Sequence, residues 1–176
     1  MKKRMITRGL LFTMAGMLMS TAIWAQAEKA SPAETATGKV QDATITINYS
    51  SPAVKGRKIF GGLVPYDKVW RAGANEATIF ETDKDIKVEG KSLPAGKYSL
   101  YAIPGEKQWS IIFNKQTGQW GVKRGGESSR DAAQDAMTVS VKPKKSASAN
   151  ERLAYDVTDN GFTLRWDNVE VPVSIK

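Results

Sequence analysis

Apolar and polar residues alternate one by one in segment after segment of this chain, and that periodicity limits the fold more than any other feature. Ala43, Ile45, Ile47 and Tyr49 alternate with Thr44, Thr46 and Asn48. Met137, Val139 and Val141 do the same with Thr138 and Ser140, and Val169, Val171, Val173 and Ile175 close the chain in one phase. A period of two carried by β-branched residues predicts strands with one buried face. Glu76–Glu81, Ile86–Val88, Trp109–Phe113, Leu153–Val157 and Phe162–Trp166 read as further strands, and Trp120–Val122 as a short one. In Lys97–Ile103 both faces are apolar, with Tyr98, Leu100 and Ala102 on one and Tyr101 and Ile103 on the other. Such a strand is covered on both sides. The Gly- and Pro-punctuated connection Ser51–Lys68 is expected to supply the second cover. Turn signals separate the strands at Thr82–Asp85, Leu93–Gly96, Pro104–Lys107, Asp159–Gly161 and Asp167–Asn168. Arg124–Ala136 and Lys142–Asn150 read as exposed loops, with one helical turn near Asp131–Ala136. About nine or ten short strands with little helix, spaced roughly 8–12 residues apart, predict an all-β fold: an antiparallel β-sandwich, jelly-roll-like.

The N-terminus is different. Lys2, Lys3, Arg4 and Arg8 precede an uncharged, mostly apolar run from Gly9, which ends at Ala25-Gln26-Ala27. This basic, apolar, small-x-small order predicts a signal peptide over residues 1–27. The apolar run is shorter than the roughly 20 residues a membrane-spanning helix needs. With no cysteine in the chain, a lipid-modified cysteine anchor is excluded. The expected product is exported, periplasmic or extracellular, without a stable membrane anchor. Residues 28–40 (EKASPAETATGK and Val40) are small and polar and read as a flexible tether, leaving 41–176 as one β-sandwich domain. The leader holds four of the 26 basic residues and none of the 18 acidic ones, so the remainder carries a net charge of only +4. The basic residues are scattered, and no nucleic-acid partner is expected.

The chain contains neither His nor Cys. Ser-His-Asp and Cys-His nucleophile systems are excluded, as are zinc and copper sites built on imidazole or thiolate. Carboxylates, Lys, Tyr and Ser/Thr remain for any chemistry. The densest grouping of them is Val69–Thr78, where Trp70, Arg71, Asn75 and Glu76 are spaced by Ala72, Gly73 and Ala74. Arg71, Asn75 and Glu76 could grip an anionic or sugar ligand at a cleft edge, with Tyr66 and Trp120 beside them. Trp109, Tyr98 and Trp166 lie in phase with aliphatic neighbours and read as core; Trp120, between Gln119 and Gly121, reads as half-exposed. The competing structural account makes Arg71 and Glu76 a paired lock and Asn75 a tie between loop and sheet, and it is favoured because such networks are common. Lys55-Gly56-Arg57-Lys58 with Gly61-Gly62 could cradle a phosphate or sulfate, but lacks the strand-loop-helix setting of a specific phosphate loop. Asp83, Asp85 and Glu89 match no calcium loop, and no metal or cofactor is expected.

The chain resembles a family of exported bacterial proteins known as domain of unknown function 2911. The resemblance rests on Ser51–Thr78 (SPAVKGRKIFGGLVPYDKVWRAGANEAT), Leu93–Lys115 (LPAGKYSLYAIPGEKQWSIIFNK), Thr117–Gly121 (TGQWG) and the closing strands through Trp166-Asp167. Val122–Ala136 is longer and richer in Gly and Ser than the family pattern. The resemblance implies an exported, compact, mainly β domain and no particular chemistry. Three readings follow: a non-catalytic binding domain for a glycan, peptide or other small ligand of the cell envelope; a structural domain; or, as the alternative, a carboxylate-dependent hydrolase or isomerase using Glu76, with Asp67 as a second acid. The non-catalytic readings are favoured.

Overall fold

A computed structural model describes residues 30–176. The signal peptide assigned to residues 1–27 and the first two residues of the tether lie outside the described residues. The rest of the tether is corrected. Ala33–Val40 forms strand β1, paired antiparallel with β2 (Ala43–Ser50) from Ala33 opposite Ser50 to Val40 opposite Ala43. Its sequence hides this, because only Ala36 and Val40 reach the core and the ladder bonds are made by the backbone. Thr35 Oγ1 donates to Asn48 Oδ1 at 2.8 Å across the pair.

The remaining strands are β3 (Thr78–Thr82), β4 (Ile86–Val88), β5 (Lys91–Leu93), β6 (Gly96–Ile103), β7 (Trp109–Asn114), β8 (Asp135–Val141), β9 (Lys144–Thr158) and β10 (Gly161–Ser174). Strands β1-β2-β3-β6-β7-β8, in that order and all antiparallel, make one six-stranded sheet. The long β9–β10 hairpin faces it. Lys87 and Lys176 exchange both backbone hydrogen bonds, so the small β4–β5 hairpin extends that second layer. Ile45, Ile47, Phe80, Leu100 and Phe113 from the sheet pack with Tyr155, Phe162, Leu164 and Val171 from the hairpin in one buried cluster. Phe80 meets Phe113 and Phe162 at ring distances of 5.0 and 5.8 Å. The all-β, sandwich-like architecture with about ten strands matches the expectation from periodicity, and the sheets do not close into a barrel.

Several local expectations are corrected. Most of the loop assigned to Lys142–Asn150 is the first half of β9, which runs for 15 residues. Of residues 144–150 only Ser146 is buried, so the segment has no apolar alternation to betray it. The turn at Asp167–Asn168 is an irregularity inside β10, where the register with β9 slips on both sides of Asp167 (φ 53°). Trp120–Val122 forms no strand, and Val122 makes an isolated bridge to Ser128. The expected helical turn is a single 3-10 turn at Ala132–Gln134, capped by the Asp131 carboxylate accepting from Ala133 N–H.

The connection between β2 and β3 crosses from layer to layer at one end of the sandwich. Pro52–Val54 runs beside β9, with Val54 N donating to Glu151 O and Leu153 N to Pro52 O. Trp70 then exchanges backbone bonds with Ala102 of β6 at 2.7 and 2.8 Å. Between them Ile59, Phe60 and Val64 insert into the main core. The connection thus plugs the end of the sandwich, whereas it was expected to cover the second face of β6. The connection covers that face, with Tyr101 on β6 and Ile112 on β7, only through Val69 and Ala77 near its end, and the segment after β7 also lies over it. Gln119 Nε2 donates there to Tyr101 Oη at 2.8 Å and to Ser99 Oγ at 3.1 Å.

Candidate functional site

An aromatic cluster forms where the connection plugs the sandwich. Phe60 meets Trp109, Trp166 and Trp70 edge to face at 4.9, 6.0 and 6.2 Å, and Trp70 stacks on Trp166 at 5.8 Å and 20°. Outside this cluster lies a cleft of about 520 Å³, within the size range of ligand pockets. One wall is the connection, including Leu63, Lys68, Val69 and Arg71; Val122 and Gly126 of the loop after β7 form another; Ala30 and Ser31 also border it. Trp70 and Trp166 contribute to the lining. Leu63 is one of two exposed large apolar residues among the described residues, at 48%.

Among the described residues the lining carries Lys55, Arg57, Lys68 and Arg71 and no Asp or Glu. Arg57 is held back on its own loop, donating from Nε and Nη2 to Val54 O and Ala53 O. Arg71 is pinned by the loop opposite. Gly121, at φ 89°, lies so close that a Cβ there would be 2.6 Å from Arg71 Cδ and 2.9 Å from its Cβ. Burial pulls the Arg71 guanidinium below its ordinary range, against Glu76 and Tyr101, which favour the charged form. It remains a cation at any physiological pH. Among the described residues four buried side-chain atoms have no hydrogen-bond partner: Arg71 Nε, Trp166 Nε1, Gln119 Oε1 and Ser129 Oγ. Unsatisfied buried polar groups are rare in native folds and ask for a reason. Two of these four belong to residues of the cleft lining.

The residues singled out from the sequence do not share one cleft. Arg71 lines the cleft just described. Asn75, at φ 57°, ties the connection to the sheet, with Nδ2 donating to Ser31 O at 3.2 Å and Ser50 Oγ at 3.1 Å. Glu76 is exposed, couples electrostatically to Arg71, and borders a separate depression of about 260 Å³ over β1 and β2. Tyr66 packs its ring against Gly61 and the main core, half-buried. Trp120 is 52% exposed, outside the cleft lining. Asp67 is exposed at φ 59°, its backbone N–H donating to Pro104 O. Of the anion-cradle residues, Lys55 and Arg57 reach the cleft lining and Lys58 does not. Asp83, Asp85 and Glu89 each accept from a different backbone N–H, of Thr44, Ala95 and Ser174.

Lys68, Leu63, Val122 and Trp166 were not singled out as site residues. The exposed Leu63 within a turn-rich segment was a usable signal. Trp166 was not, because its phase on β10 marks it as core, which at 1% exposure it is, while it still contributes to the cleft lining.

Searches against curated proteins and against solved structures each found no match. A family model described as "Protein of unknown function (DUF2911)" matches residues 31–175, which takes in β1 and every later strand. The chain therefore belongs to the DUF2911 family.

Proposed function

We propose that this protein is a non-catalytic binding domain of the bacterial cell envelope, with the cleft beside Trp70 and Arg71 as its ligand site. The observation that carries this reading is the junction of an accessible apolar wall with two buried, unpartnered donors, Arg71 Nε and Trp166 Nε1, on residues of one concave surface. A lock made only for stability would satisfy such groups within the protein. Asn75 does serve as a tie, so structural and binding roles divide between neighbouring residues. The hydrolase alternative has less support, since the described residues of the cleft lining include no carboxylate and Glu76 borders a different, smaller depression.

The test is a thermal-shift and tryptophan-emission screen of the protein against glycans, peptides and small metabolites. A true ligand raises the melting temperature and changes emission, because Trp70 and Trp166 contribute to the cleft lining. Leu63→Asp, at an exposed position, abolishes both responses without lowering the stability of the free protein. A ligand that binds equally well to this variant places the site elsewhere. Turnover of any screened compound that is lost in Glu76→Gln would restore the enzymatic reading. Export carries its own test: N-terminal sequencing of the protein recovered from its bacterium begins at Glu28, and recovery of the intact leader in the cytoplasm refutes it.

A further inference from the structure

We infer that the ligand of this cleft is an amphipathic anion, a carboxylate or phosphate head on an apolar body. The inference rests on the cleft being a binding site and adds the chemical class of what it takes. Among the described residues the four charged side chains in its lining, Lys55, Arg57, Lys68 and Arg71, are all cationic. Clustered cations in a concave, partly apolar setting repel one another and raise the local potential for an anion. A neutral glycan or a cationic peptide leaves that field uncompensated; an anionic head matches it through charge-assisted hydrogen bonds. Inorganic phosphate by itself leaves the other half of the surface unused. Leu63, Val69, Trp70 and Trp166 present apolar lining in the same cavity, and the volume of about 520 Å³ exceeds what a bare anion fills. The guanidinium and ammonium groups of the lining are donors only, which suits an acceptor-rich head, and two buried donors on lining residues, Arg71 Nε and Trp166 Nε1, have no partner within the protein.

The chain's own N-terminal segment is the wrong occupant. Ala30 and Ser31 border the cleft, so the preceding residues are near in sequence. With the proposed leader removed, only Glu28 and Lys29 precede them, one acid and one base with no apolar body.

The experiment titrates the protein by calorimetry and tryptophan emission with decanoate, decyl phosphate, decanol, decyltrimethylammonium and inorganic phosphate, each below its micelle-forming concentration. Decanoate and decyl phosphate are expected to bind at least about tenfold more tightly than decanol or inorganic phosphate, since a hydrogen bond to a charged group contributes that much or more. Decyltrimethylammonium is expected not to bind. Lys68→Glu and Lys55→Glu, both at exposed positions, weaken the two anionic probes by about tenfold each and leave decanol unchanged. Equal binding of decanol and decanoate overturns the inference while leaving the cleft a binding site, and binding of inorganic phosphate as tightly as decyl phosphate reduces it to a simple anion site. Silence toward all five probes, with a hit elsewhere in the wider screen, overturns the ligand class alone; silence in both removes the binding reading as well. Anionic phospholipid vesicles form the last arm. Binding to vesicles without binding to monomeric decanoate or decyl phosphate points to a membrane surface and overturns the proposal.

Discussion

At the scale of single residues, the site depends on backbone geometry that few side chains tolerate. Gly121 combines φ 89° with a Cβ position 2.6 Å from Arg71 Cδ, so its lack of a side chain lets the loop lie on the arginine stem. Gly90 has a similar φ of 81° and nothing within 4 Å, which makes it a control for the backbone effect alone. Gly90→Ala should cost about 1 kcal/mol, and Gly121→Ala about 2–4 kcal/mol because the clash adds to the strain. Chemical denaturation of the two variants checks the difference; equal losses would mean that the contact with Arg71 is unimportant. Asn75 is a second such position. Asn75→Ala removes the bonds to Ser31 O and Ser50 Oγ and puts a Cβ-bearing residue without a compensating polar group at φ 57°. A loss of about 1–3 kcal/mol is expected, with Asn75→Gly recovering the backbone part of it.

Among the elements, β1 and the β2–β3 connection matter most for the site. Strand β1 covers one edge of β2 along its whole length, and Gly38 lets it approach β9, where a Cβ would lie 2.9 Å from Val157 Cγ1. A chain beginning at residue 41 would keep the apolar strands but expose the β2 edge, which then becomes a template for pairing between molecules. It should lose at least about 3 kcal/mol from the missing ladder and melt roughly 6–12 °C lower. Melting curves with light scattering check both effects, and an unchanged melting temperature would return residues 33–40 to the status of a tether. The connection is held at both ends by backbone bonds, to β9 through Val54 and to β6 through Trp70. That anchoring presents the basic side chains on a fixed frame, as preorganised recognition requires.

For the molecule as a whole, Tyr155 joins the two layers at the plugged end. Its hydroxyl, on β9, donates at 2.7 Å to the carbonyl of Ala72 in the connection, and Thr78 Oγ1 of β3 donates to the same oxygen at 3.0 Å. Burial pushes the Tyr155 phenol well above its ordinary value, and Tyr49, with its ring 4.8 Å away, adds to the shift. In the native state the proton is therefore held at a pH where the unfolded chain has released it. The unfolded state binds fewer protons there, so stability is intact below about pH 10 and falls as pH rises further. Denaturation series at about pH 8 and about pH 11 should show this loss, and Tyr155→Phe should reduce it while costing about 1 kcal/mol at neutral pH. A pH dependence identical in the variant would assign the alkaline loss to other tyrosines, such as Tyr49 and Tyr98, whose phenols are also raised by burial.

What the sequence determined by itself was the set of strands that bury side chains. Ile45 and Ile47, Val139 and Val141, or Leu164 and Trp166 announce their inward face because hydrophobic burial selects residue type position by position. The absence of His and Cys likewise removed whole classes of chemistry before any fold was known. Tertiary structure alone decided what depends on backbone bonding or on distant segments meeting. Strand β1 and the first half of β9 are polar, and only the strands beside them make them strands. The cleft draws Lys55 and Arg71 from opposite parts of the β2–β3 connection, Val122 from the loop after β7 and Trp166 from the last strand. Local pattern identified Arg71 as unusual, but which residues share its surface is a property of how the connection plugs the sandwich.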